Sequence, residues 1–553
     1  MTSTSEYVQL TNFTDSVLDP ALSADGRMVA FVRAASTAVF PRRGDIYAKL
    51  LPNGDSVRLT NDPRAKYGPV FTPDGARVAY TQTTRSANGL TSDTWVVPVA
   101  GGEPNRLLPN ASGLIWIDDR HVLFSEIKGT GLHMGIVTAT TTRDARREIY
   151  FPEHERAMAH YSYLSPDRRS VLIVEMDRTA TFQPCRLVPF DGSSAGRQVG
   201  PRGACTAAAW SPDGRWMYFS VTVDGASHLW RQRVDAESAE QITFGPVEES
   251  GVAVTPDGGA LVTAIGQQRS AILIHENGAE RQLSIEGIAT TPQFAGDGKH
   301  LYYLVAQPSL GSATTELRSI DLRSGNTDRL LPDRSVEQYV VSTDGGEVAF
   351  TTIGDDGVSE IWLAPLDRSA PPRRVTRGGD QPSFDGGSGL IFRALEEERN
   401  YLTRIGKDGN GRERLLDRPI LNKGAVSPDG AWGIVYAAGI GANASTESLV
   451  VPLRGGPPRR LCPACPGIWS SDGRWLYVLL IDRPPNVPRT IAIPVTLSPP
   501  DNIEVITTEA TQGRLLPGVV AIDDPISAPG PSPSTYAFVR QDIQRNLFRI
   551  PLH

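Results

Sequence analysis

The sequence predicts an all-β fold, a β-propeller of about twelve four-stranded blades. Short turns centred on Asp-Gly recur along the 553 residues. The segments between these turns alternate apolar with polar residues and are rich in β-branched and aromatic side chains, as half-buried strands are. No segment repeats its apolar residues at helical spacing for more than about two turns. Four antiparallel strands repeated every ~45 residues are typical of propeller blades.

The strongest turns share the pattern of WSPDGRWMYFS, which begins at Trp210. Their aspartates are Asp25, Asp74, Asp213, Asp257, Asp297, Asp344, Asp429 and Asp472. Asp-Gly suits a two-residue hairpin turn because both central positions need positive φ, and the carboxylate accepts backbone N–H bonds there. A calcium loop would gather several carboxylates in one turn, whereas each of these turns has one. We therefore interpret the aspartates as structural residues.

Residue size changes in the same order within each repeat. Small residues come before the turn, as in TAAAW, and bulkier strands such as RWMYFSV follow it. This order fits strands that run outward from a crowded central axis. Weaker turns fill the gaps between the strong ones and bring the number of repeats to twelve, at Asp119, Asp167, Asp385 and Asp523.

The number of repeats and the two termini predict how the blades are arranged. Twelve blades exceed the four to eight that usually form one ring, so we expect two rings, split about 6+6 or 7+5. The last blade has inner strands VVAI and STYAFVRQ and a third strand NLFRIPL, but no outer strand. EYVQLTN, residues 6–12, reads as an outer strand with no blade before it. We expect this N-terminal strand to close the last blade.

The domain boundaries are predicted from the least regular junction, YFPEHERAMAHYSY. A crossing between rings there places the first propeller in residues 6–157 plus 418–553. The second propeller then occupies residues 158–417. A simple tandem split into 1–285 and 286–553 is the alternative.

Charge and hydropathy exclude two classes of partner. The net charge of −7 leaves no basic footprint for nucleic acid or for an anionic membrane. No run approaches the ~18 apolar residues of a membrane span, so we expect no membrane insertion of this chain. No motif indicates a cofactor.

The four cysteines are predicted to be structural. Cys462 and Cys465 form CPAC, while Cys185 and Cys205 are separate. A single CxxC is half a zinc site, and no second pair has the spacing of a zinc ribbon. CPAC precedes a predicted strand, not the helix that usually stabilises a redox thiolate. Disulfides and inert reduced thiols are the two interpretations.

No complete catalytic motif is present, so we predict that the chain is not an enzyme. GSSAG, residues 192–196, matches the G-x-S-x-G pattern of a nucleophile elbow, but no helix follows it. The glycine-rich loop, H-R-D and D-F-G motifs of a protein kinase are absent, and the repeats leave no room for an α/β-hydrolase domain. We assign no catalytic, cofactor-binding or metal-binding residue.

The segment PEHERAMAHYSY differs most from the other repeats. His160, Tyr161 and Tyr163 fall at the start of a predicted innermost strand, which makes them candidates for lining a ligand channel. The alternative is that the tyrosines pack between blades. His154 and His160 could bring two imidazoles together, which suits zinc, copper or iron. A metal-dependent lyase or hydrolase with a histidine-lined channel is therefore the alternative function.

The repeats resemble the WD40-like PD40 repeats of the TolB-type β-propeller family over nearly the whole chain. Longer stretches, among them YVQLTNFTDSVLDPALSADGRMVAFVR and GDIYAKLLPNGDSVRLTND, resemble the C-terminal sensor region of bacterial receptor-like serine/threonine protein kinases. In such kinases the sensor follows a kinase domain and a membrane span, and this chain has no kinase domain.

The resemblance implies a non-enzymatic sensor or scaffold module that binds a protein, a peptide or a small molecule. A TolB-like periplasmic assembly scaffold is a further alternative. As part of a receptor-like kinase the module would be periplasmic or extracellular. Its first residues lack the features of a signal peptide, so a cytoplasmic location is also compatible with the sequence.

Overall fold

The computed structural model is almost entirely β. It describes residues 6–34, 44–62, 64–86, 89–128, 133–155, 157–178, 181–223, 225–284, 287–307, 314–354, 358–397, 399–438, 446–463, 465–480, 487, 489–496 and 498–552. Within these ranges the strands form antiparallel sheets, most of them four-stranded. No helix in them is long and apolar enough to cross a membrane.

The chain divides into two compact units. The first contains residues 1–268, 310–312 and 542–553, and the second contains 269–309 and 313–541. The inserted unit therefore differs from the 158–417 that the sequence suggested. The tandem alternative differs as well, because the C-terminal residues belong to the first unit. The irregular segment near His154 instead connects two neighbouring strands inside the first unit.

The strands of the first unit follow the predicted order of innermost, second, third and outer strand. They are β1 (Val8–Gln9); β2–β5 (Ser16–Leu22, Met28–Ala34, Gly44–Leu50, Ser56–Arg58); β6–β9 (Ala65–Phe71, Arg77–Ser86, Gly89–Pro98, Asn105–Leu108); β10–β13 (Ser112–Trp116, His121–Ile127, Met134–Thr140, Arg147–Tyr150); β14–β17 (Met158–Leu164, Ser170–Met176, Arg186–Pro189, Arg197–Gln198); β18–β21 (Ala204–Trp210, Trp216–Val223, Ala226–Arg233, Glu240–Gln241); β22 (Glu248–Val254); and β23 (Ala260–Glu276), which continues into the second unit.

The second unit repeats the same four-stranded pattern. Its strands are β24 (Ala279–Gln282); β25–β28 (Ile288–Phe294, His300–Gln307, Thr314–Asp321, Thr327–Arg329); β29–β32 (Gln338–Val341, Glu347–Ile353, Ser359–Pro365, Arg373–Arg377); β33–β36 (Gly379–Phe384, Gly389–Glu396, Arg399–Gly406, Glu413–Arg414); β37–β40 (Asn422–Val426, Trp432–Ala438, Thr446–Pro452, Arg459–Cys462); β41–β44 (Gly467–Trp469, Trp475–Leu479, Thr490–Pro494, Val520–Ile522); β45 (Ala528–Pro529); and β46 (Thr535–Pro551), which ends in the first unit.

The N-terminal strand pairs with the C-terminal one, as the sequence predicted, but the predicted last blade is not formed, because STYAFVRQ and NLFRIPL are one continuous strand, β46, whose two parts lie in different units. In the first unit Val8 of β1 lies opposite Arg549 of β46, and β22 pairs with the first half of β23. The prediction for VVAI was wrong. Residues 520–522 form β44, the outer strand of the preceding sheet, because they pair with β43. The innermost strand of the next sheet is β45, which pairs with the start of β46.

The innermost strands of each unit contact one another in succession. In the first unit β2 contacts β6, β6 contacts β10, β10 contacts β14, β14 contacts β18, β18 contacts β22, and β22 contacts β2. In the second unit contacts run from β29 through β33, β37 and β41 to β45, and from β45 to β25. Apolar side chains from facing sheets fill the spaces between them, as Val32 and Ile46 do with Tyr80.

The Asp-Gly turns are longer than the two-residue hairpins that we expected. In the turn at Asp74, Gly75 N–H donates to Thr72 O at 2.8 Å, while Thr72 N–H donates to Arg77 O at 2.9 Å. Four residues therefore lie between the paired strands, and only the glycine has positive φ. This geometry is a four-residue loop built around a type I turn.

A short helix contradicts the expectation that no helix exceeds two turns. Helix α1 (Ile503–Thr511) lies between β43 and β44 and buries Ile503, Ile506 and Ala510 along one side. These side chains belong to the apolar cluster that contains Leu461 of β40. The amphipathic spacing covers only nine residues, and Val505 on the other side is exposed.

Candidate functional site

A cavity of about 370 Å³ in the second unit is the candidate functional site. Its walls come from the innermost strands β25, β29, β33, β37, β41 and β45 and from the turns that follow them. Several of these strands have bulges, and two bulge residues that are not glycine have positive φ: Thr291 at 48° and Gln381 at 54°. Bulges are over-represented beside functional sites because they change the direction of a side chain.

Glutamine side chains connect neighbouring innermost strands around the cavity. Gln293 donates to Val341 O at 3.1 Å and accepts from Val341 N–H at 3.0 Å. The Gln338 side chain accepts from Gln381 N–H at 2.7 Å, and the Gln381 side chain accepts from Lys423 N–H at 2.9 Å. The amides therefore bond backbone groups of the neighbouring innermost strand, and two of these groups, at Gln381 and Lys423, lie at bulges.

Lys423 of β37 is the buried cation in the wall of this cavity. Its side chain is 8% exposed, and its Nζ donates to Ser383 Oγ at 2.6 Å and to Gly424 O at 3.1 Å. No carboxylate of the described residues forms an ion pair with it. The Asp380 carboxylate acts on Lys423 electrostatically, but both of its oxygens accept bonds from the Arg393 guanidinium.

Burial controls the protonation of Lys423. Removal from water lowers the pKa of the Lys423 ammonium from 10.5 to about 7, against a smaller opposing effect of Asp380. A lysine with this pKa gains or loses its charge near neutral pH. A negatively charged group in the cavity would stabilise the protonated form.

The wall of the cavity also contains a buried indole N–H. Trp469 of β41 lines the cavity, and its indole N–H is buried with no hydrogen-bond acceptor among the described residues. Phe294, Val341 and Phe384 contribute apolar surface. Aromatic and apolar surface combined with polar side chains is typical of a small-ligand pocket.

The residues predicted to line a channel lie in the first unit and are packed. His160, Tyr161 and Tyr163 all belong to innermost strand β14. The Tyr161 ring packs edge-on against Tyr67 and leaves no room for a side chain at Gly113 of β10, where a Cβ would lie 3.0 Å from the ring. Tyr161 and Tyr163 also contact the apolar cluster around Phe219. Their packing corresponds to the alternative in which the tyrosines fill space between strands.

His160 and His154 occupy different environments. His160 lies beside the ring of Phe182, and burial lowers the pKa of its imidazole to about 4. His154 lies in the loop before β14, where its carbonyl accepts from Ala157 N–H. Neither histidine belongs to a group of three potential metal ligands within the described ranges.

The turn aspartates share one hydrogen-bonding pattern. In seven of the eight, Oδ1 accepts from a Ser or Thr hydroxyl two residues earlier and from a backbone N–H two residues later: Asp25, Asp74, Asp213, Asp257, Asp344, Asp429 and Asp472. Asp297 keeps the backbone bond, to Lys299 N–H, but has Ala295 in place of the hydroxyl. Their side chains thus stabilise the turns.

The four cysteines form disulfides, and the GSSAG segment connects two strands. Cys185 is disulfide-bonded to Cys205 and Cys462 to Cys465. All four are buried. GSSAG forms the exposed connection between β16 and β17, where Ser193 N–H donates to Asp191 Oδ1. A strand, not a helix, follows it.

Sequence reasoning missed the residues of the cavity. Gln293, Gln381 and Lys423 each lie four to six residues before a turn aspartate. They interrupt segments of small and apolar residues that were read only as innermost strands. The signal that could have identified them is a long polar side chain in an innermost strand. Such strands crowd around a central axis and usually carry small or apolar residues.

Comparison with known proteins yields limited similarity. No family model matches the chain. An uncharacterised protein of Agrobacterium fabrum is 53% identical over 34 residues, which are 6% of this chain and 12% of that protein. This chain thus spans a small part of the curated relative.

Several solved structures align with much of the chain at low identity. The tricorn protease is 13% identical over 88% of this chain and 50% of its own, with a TM-score of 0.34. An oligogalacturonate lyase from Vibrio parahaemolyticus is 14% identical over 67% of this chain and 93% of its own, with a TM-score of 0.31. TolB from Acinetobacter baumannii is 14% identical over 61% and 79%, with a TM-score of 0.20. These values assign no activity to this chain, which spans half of the tricorn protease chain.

Proposed function

We propose that the chain is a non-enzymatic binding module of two six-bladed β-propellers, and that the cavity of the second unit binds a small anionic ligand. The blade count is supported by the succession of contacts among innermost strands in each unit. In the second unit, Tyr339 of β29 also donates to Thr291 O of β25 at 2.7 Å. This bond joins the two innermost strands that would complete a ring.

The observation that carries the ligand class is the position of Lys423. Its ammonium is buried in a cavity wall, donates to two neutral acceptors and has no ion-pair partner among the described residues. A buried charge is costly unless it is paired. A carboxylate or phosphate oxygen in the cavity would supply the missing partner, and the Trp469 indole N–H would supply a second donor.

Titration calorimetry with the whole chain tests this proposal. The probes are benzoate and inorganic phosphate, with benzamide as a neutral analogue of benzoate. Below a pH of about 7 Lys423 is protonated, so the affinity for anions should be higher at about pH 6 than at about pH 9. Benzamide is neutral, so its affinity should not show this increase. Binding of either anion supports the proposal, and binding of neither contradicts it.

Matched variants connect the binding to the cavity. Lys423→Met should abolish anion binding and its pH dependence, because it keeps an unbranched side chain but removes the charge. Lys299→Met replaces an exposed lysine of the same unit and should leave binding unchanged. Equal loss in both variants would show that the anions bind by general electrostatics.

A Ser-Lys pair also activates serine nucleophiles in some hydrolases, which gives a second candidate function. The 2.6 Å contact between Lys423 Nζ and Ser383 Oγ is the observation that favours it. A fluorophosphonate probe distinguishes the two. Covalent labelling of Ser383 that is lost in Lys423→Met would support a hydrolase, whereas a binding module should remain unlabelled.

The role as sensor or scaffold rests on the sequence resemblance. The two disulfides support a periplasmic or extracellular location, because disulfides persist in oxidising compartments. Fractionation of the native organism, probed with an antibody against this chain, tests the location. Recovery in the cytoplasm would contradict it.

A further inference from the structure

A second cluster of polar side chains in the second unit lies away from the cavity. His275, Glu280 and Asp524 each place one potential ligand atom within 4.8 Å of those of the other two. Within the described ranges this is the one group of three or more such residues. It combines an imidazole with two carboxylates, which are donors suited to a divalent transition metal.

The fold brings the three residues together from distant parts of the sequence. His275 of β23 and Glu280 of β24 lie directly opposite each other in an antiparallel pair. Side chains at opposite positions on one face are neighbours. Asp524 comes from the connection between β44 and β45, about 250 residues later.

Neighbouring side chains hold all three donors in place. The His275 ring stacks on Tyr536, with centroids 4.6 Å apart and an interplanar angle of 4°. The Tyr536 hydroxyl donates to Asp524 Oδ2 at 2.7 Å. Arg540 Nη2 donates to Glu280 Oε2 at 2.7 Å. Supporting contacts of this kind orient the ligands in metal sites.

The hydrogen bonding of His275 is incomplete. Its Nδ1 is shielded from solvent with no partner among the described residues. Its Nε2 accepts one bond of 3.2 Å from Gly278 N–H, a bond that is given up when Nδ1 binds a metal ion, because the ring proton then lies on Nε2. Buried polar atoms without partners are rare in folded proteins and indicate an unseen water or ion.

The local charge favours a cation. The Tyr536 hydroxyl donates to Asp524, and Glu280 and Asp523 also lie close enough to act on it electrostatically. Three carboxylates lie near this hydroxyl, and Arg540 is the cation that pairs with one of them.

We propose that His275, Glu280 and Asp524 form a zinc-binding site that ties the outer strand β24 to the segment before β45. One imidazole nitrogen and two carboxylate oxygens supply three ligands, and water completes a tetrahedral site. The site is independent of the ligand cavity, since none of its three donors lines that cavity.

Equilibrium dialysis of the untagged, EDTA-treated chain against zinc chloride tests the proposal. We expect one tightly bound zinc ion per chain. His275→Gln and Asp524→Asn should each weaken binding by at least ~100-fold, because each removes a direct ligand. Tyr536→Phe keeps the ring that stacks on His275 and removes only the hydroxyl, so it should weaken binding by ~10-fold.

His300→Gln is the matched control. The His300 ring also lies between two carboxylates, but Asp297 faces Nδ1 at 3.4 Å and Asp321 faces Nε2 at 3.6 Å. The two acids therefore cannot share one ion with a single ring nitrogen, and the variant should retain zinc. Circular dichroism of the metal-free variants checks their fold. Absence of stoichiometric zinc from the wild type, retention in Asp524→Asn, or loss in His300→Gln would overturn the proposal, and so would binding of calcium in place of zinc.

Discussion

The ammonium of Lys423 is hydrogen-bonded to the hydroxyl of Ser383 on the adjacent innermost strand, with Nζ and Oγ 2.6 Å apart. The contact keeps a lysine in a buried position without an ion-pair partner among the described residues. The pKa of Lys423 is lowered to about 7, so the free energy of unfolding must depend on its protonation.

Lys423→Met should change how stability depends on pH. Between a pH of about 7 and the usual lysine pKa of 10.5, the unfolded chain binds a proton that the folded chain does not. The contribution of Lys423 to the free energy of unfolding therefore rises with pH across this window, by up to ~1.4 kcal/mol per pH unit. Urea unfolding at about pH 7 and about pH 9 measures it, as the difference between wild type and variant. For Lys299→Met, the difference in free energy of unfolding from the wild type should be the same at both pH values. The same constancy in Lys423→Met would refute the prediction.

Ser211→Ala should destabilise the chain by about 1–2 kcal/mol, because Ser211 has two roles in its turn. Its hydroxyl donates to Asp213 Oδ1 and accepts from Trp216 N–H at 2.9 Å. The turn at Asp297 provides the reverse test, since Ala295 occupies the equivalent position. Ala295→Ser should raise the free energy of unfolding. Thermal unfolding of both variants checks the pair, and effects of the same sign would contradict it.

The turns should also make the chain sensitive to acid. The Ser211 hydroxyl and the Arg215 N–H lower the pKa of Asp213, and equivalent bonds lower that of Asp74. A lowered pKa means that the stabilisation is complete above the ordinary value of 3.8 and is lost as the pH falls through the folded-state value. Acid titration followed by tryptophan fluorescence should show an unfolding transition below that value, shifted to higher pH in Asp74→Asn/Asp213→Asn. An unshifted transition would count against this role.

Gly113→Ala should destabilise the chain more than Gly75→Ala. Both glycines have positive φ, 56° and 66°, so both variants incur the left-handed strain of about 1–2 kcal/mol. A Cβ at Gly113 would also lie 2.6 Å from His160 O and 3.0 Å from the Tyr161 ring, whereas a Cβ at Gly75 would meet nothing within 4 Å. The overlap should add at least ~1 kcal/mol, measured by urea unfolding. Equal losses would mean that β14 moves aside without cost.

Local sequence signals predicted the repeated strands well, because the turns that separate the strands are stabilised by residues that are close together in the sequence. The hydroxyl, carboxylate and glycine of each turn lie within a few residues of one another, as in Ser211, Asp213 and Gly214. The pairing of β1 with β46 was also predictable, since an unpaired strand at each end of the chain suggests a partner. The places where the chain passes from one unit to the other were not predictable. Strands β23 and β46 continue through them, so the strand pattern of the sequence has no break there.

The candidate sites could not be predicted because their residues are joined only by the fold. Lys423 and Ser383 lie forty positions apart, on the innermost strands of two different repeats. His275 and Asp524 are further apart still. The histidines that did stand out in the sequence, His154 and His160, are close along the chain, but a loop and a strand place them in different surroundings.

The two disulfides should contribute unequally to stability. Cys185 and Cys205 close a loop with a sequence separation of 20, while Cys462 and Cys465 are separated by 3. The loss of unfolded-state entropy grows with loop length, which predicts stabilisation of about 3 kcal/mol for the first and about 2 kcal/mol for the second. All four sulfurs belong to buried residues, so Cys185→Ala/Cys205→Ala and Cys462→Ala/Cys465→Ala remove similar amounts of packing. The difference in free energy of unfolding between the two double variants, measured with urea, therefore reports the effect of loop length on the entropy of the unfolded chain. An equal or reversed order would show that local packing, which α1 supplies around Cys462 and Cys465, outweighs the entropy of the unfolded chain.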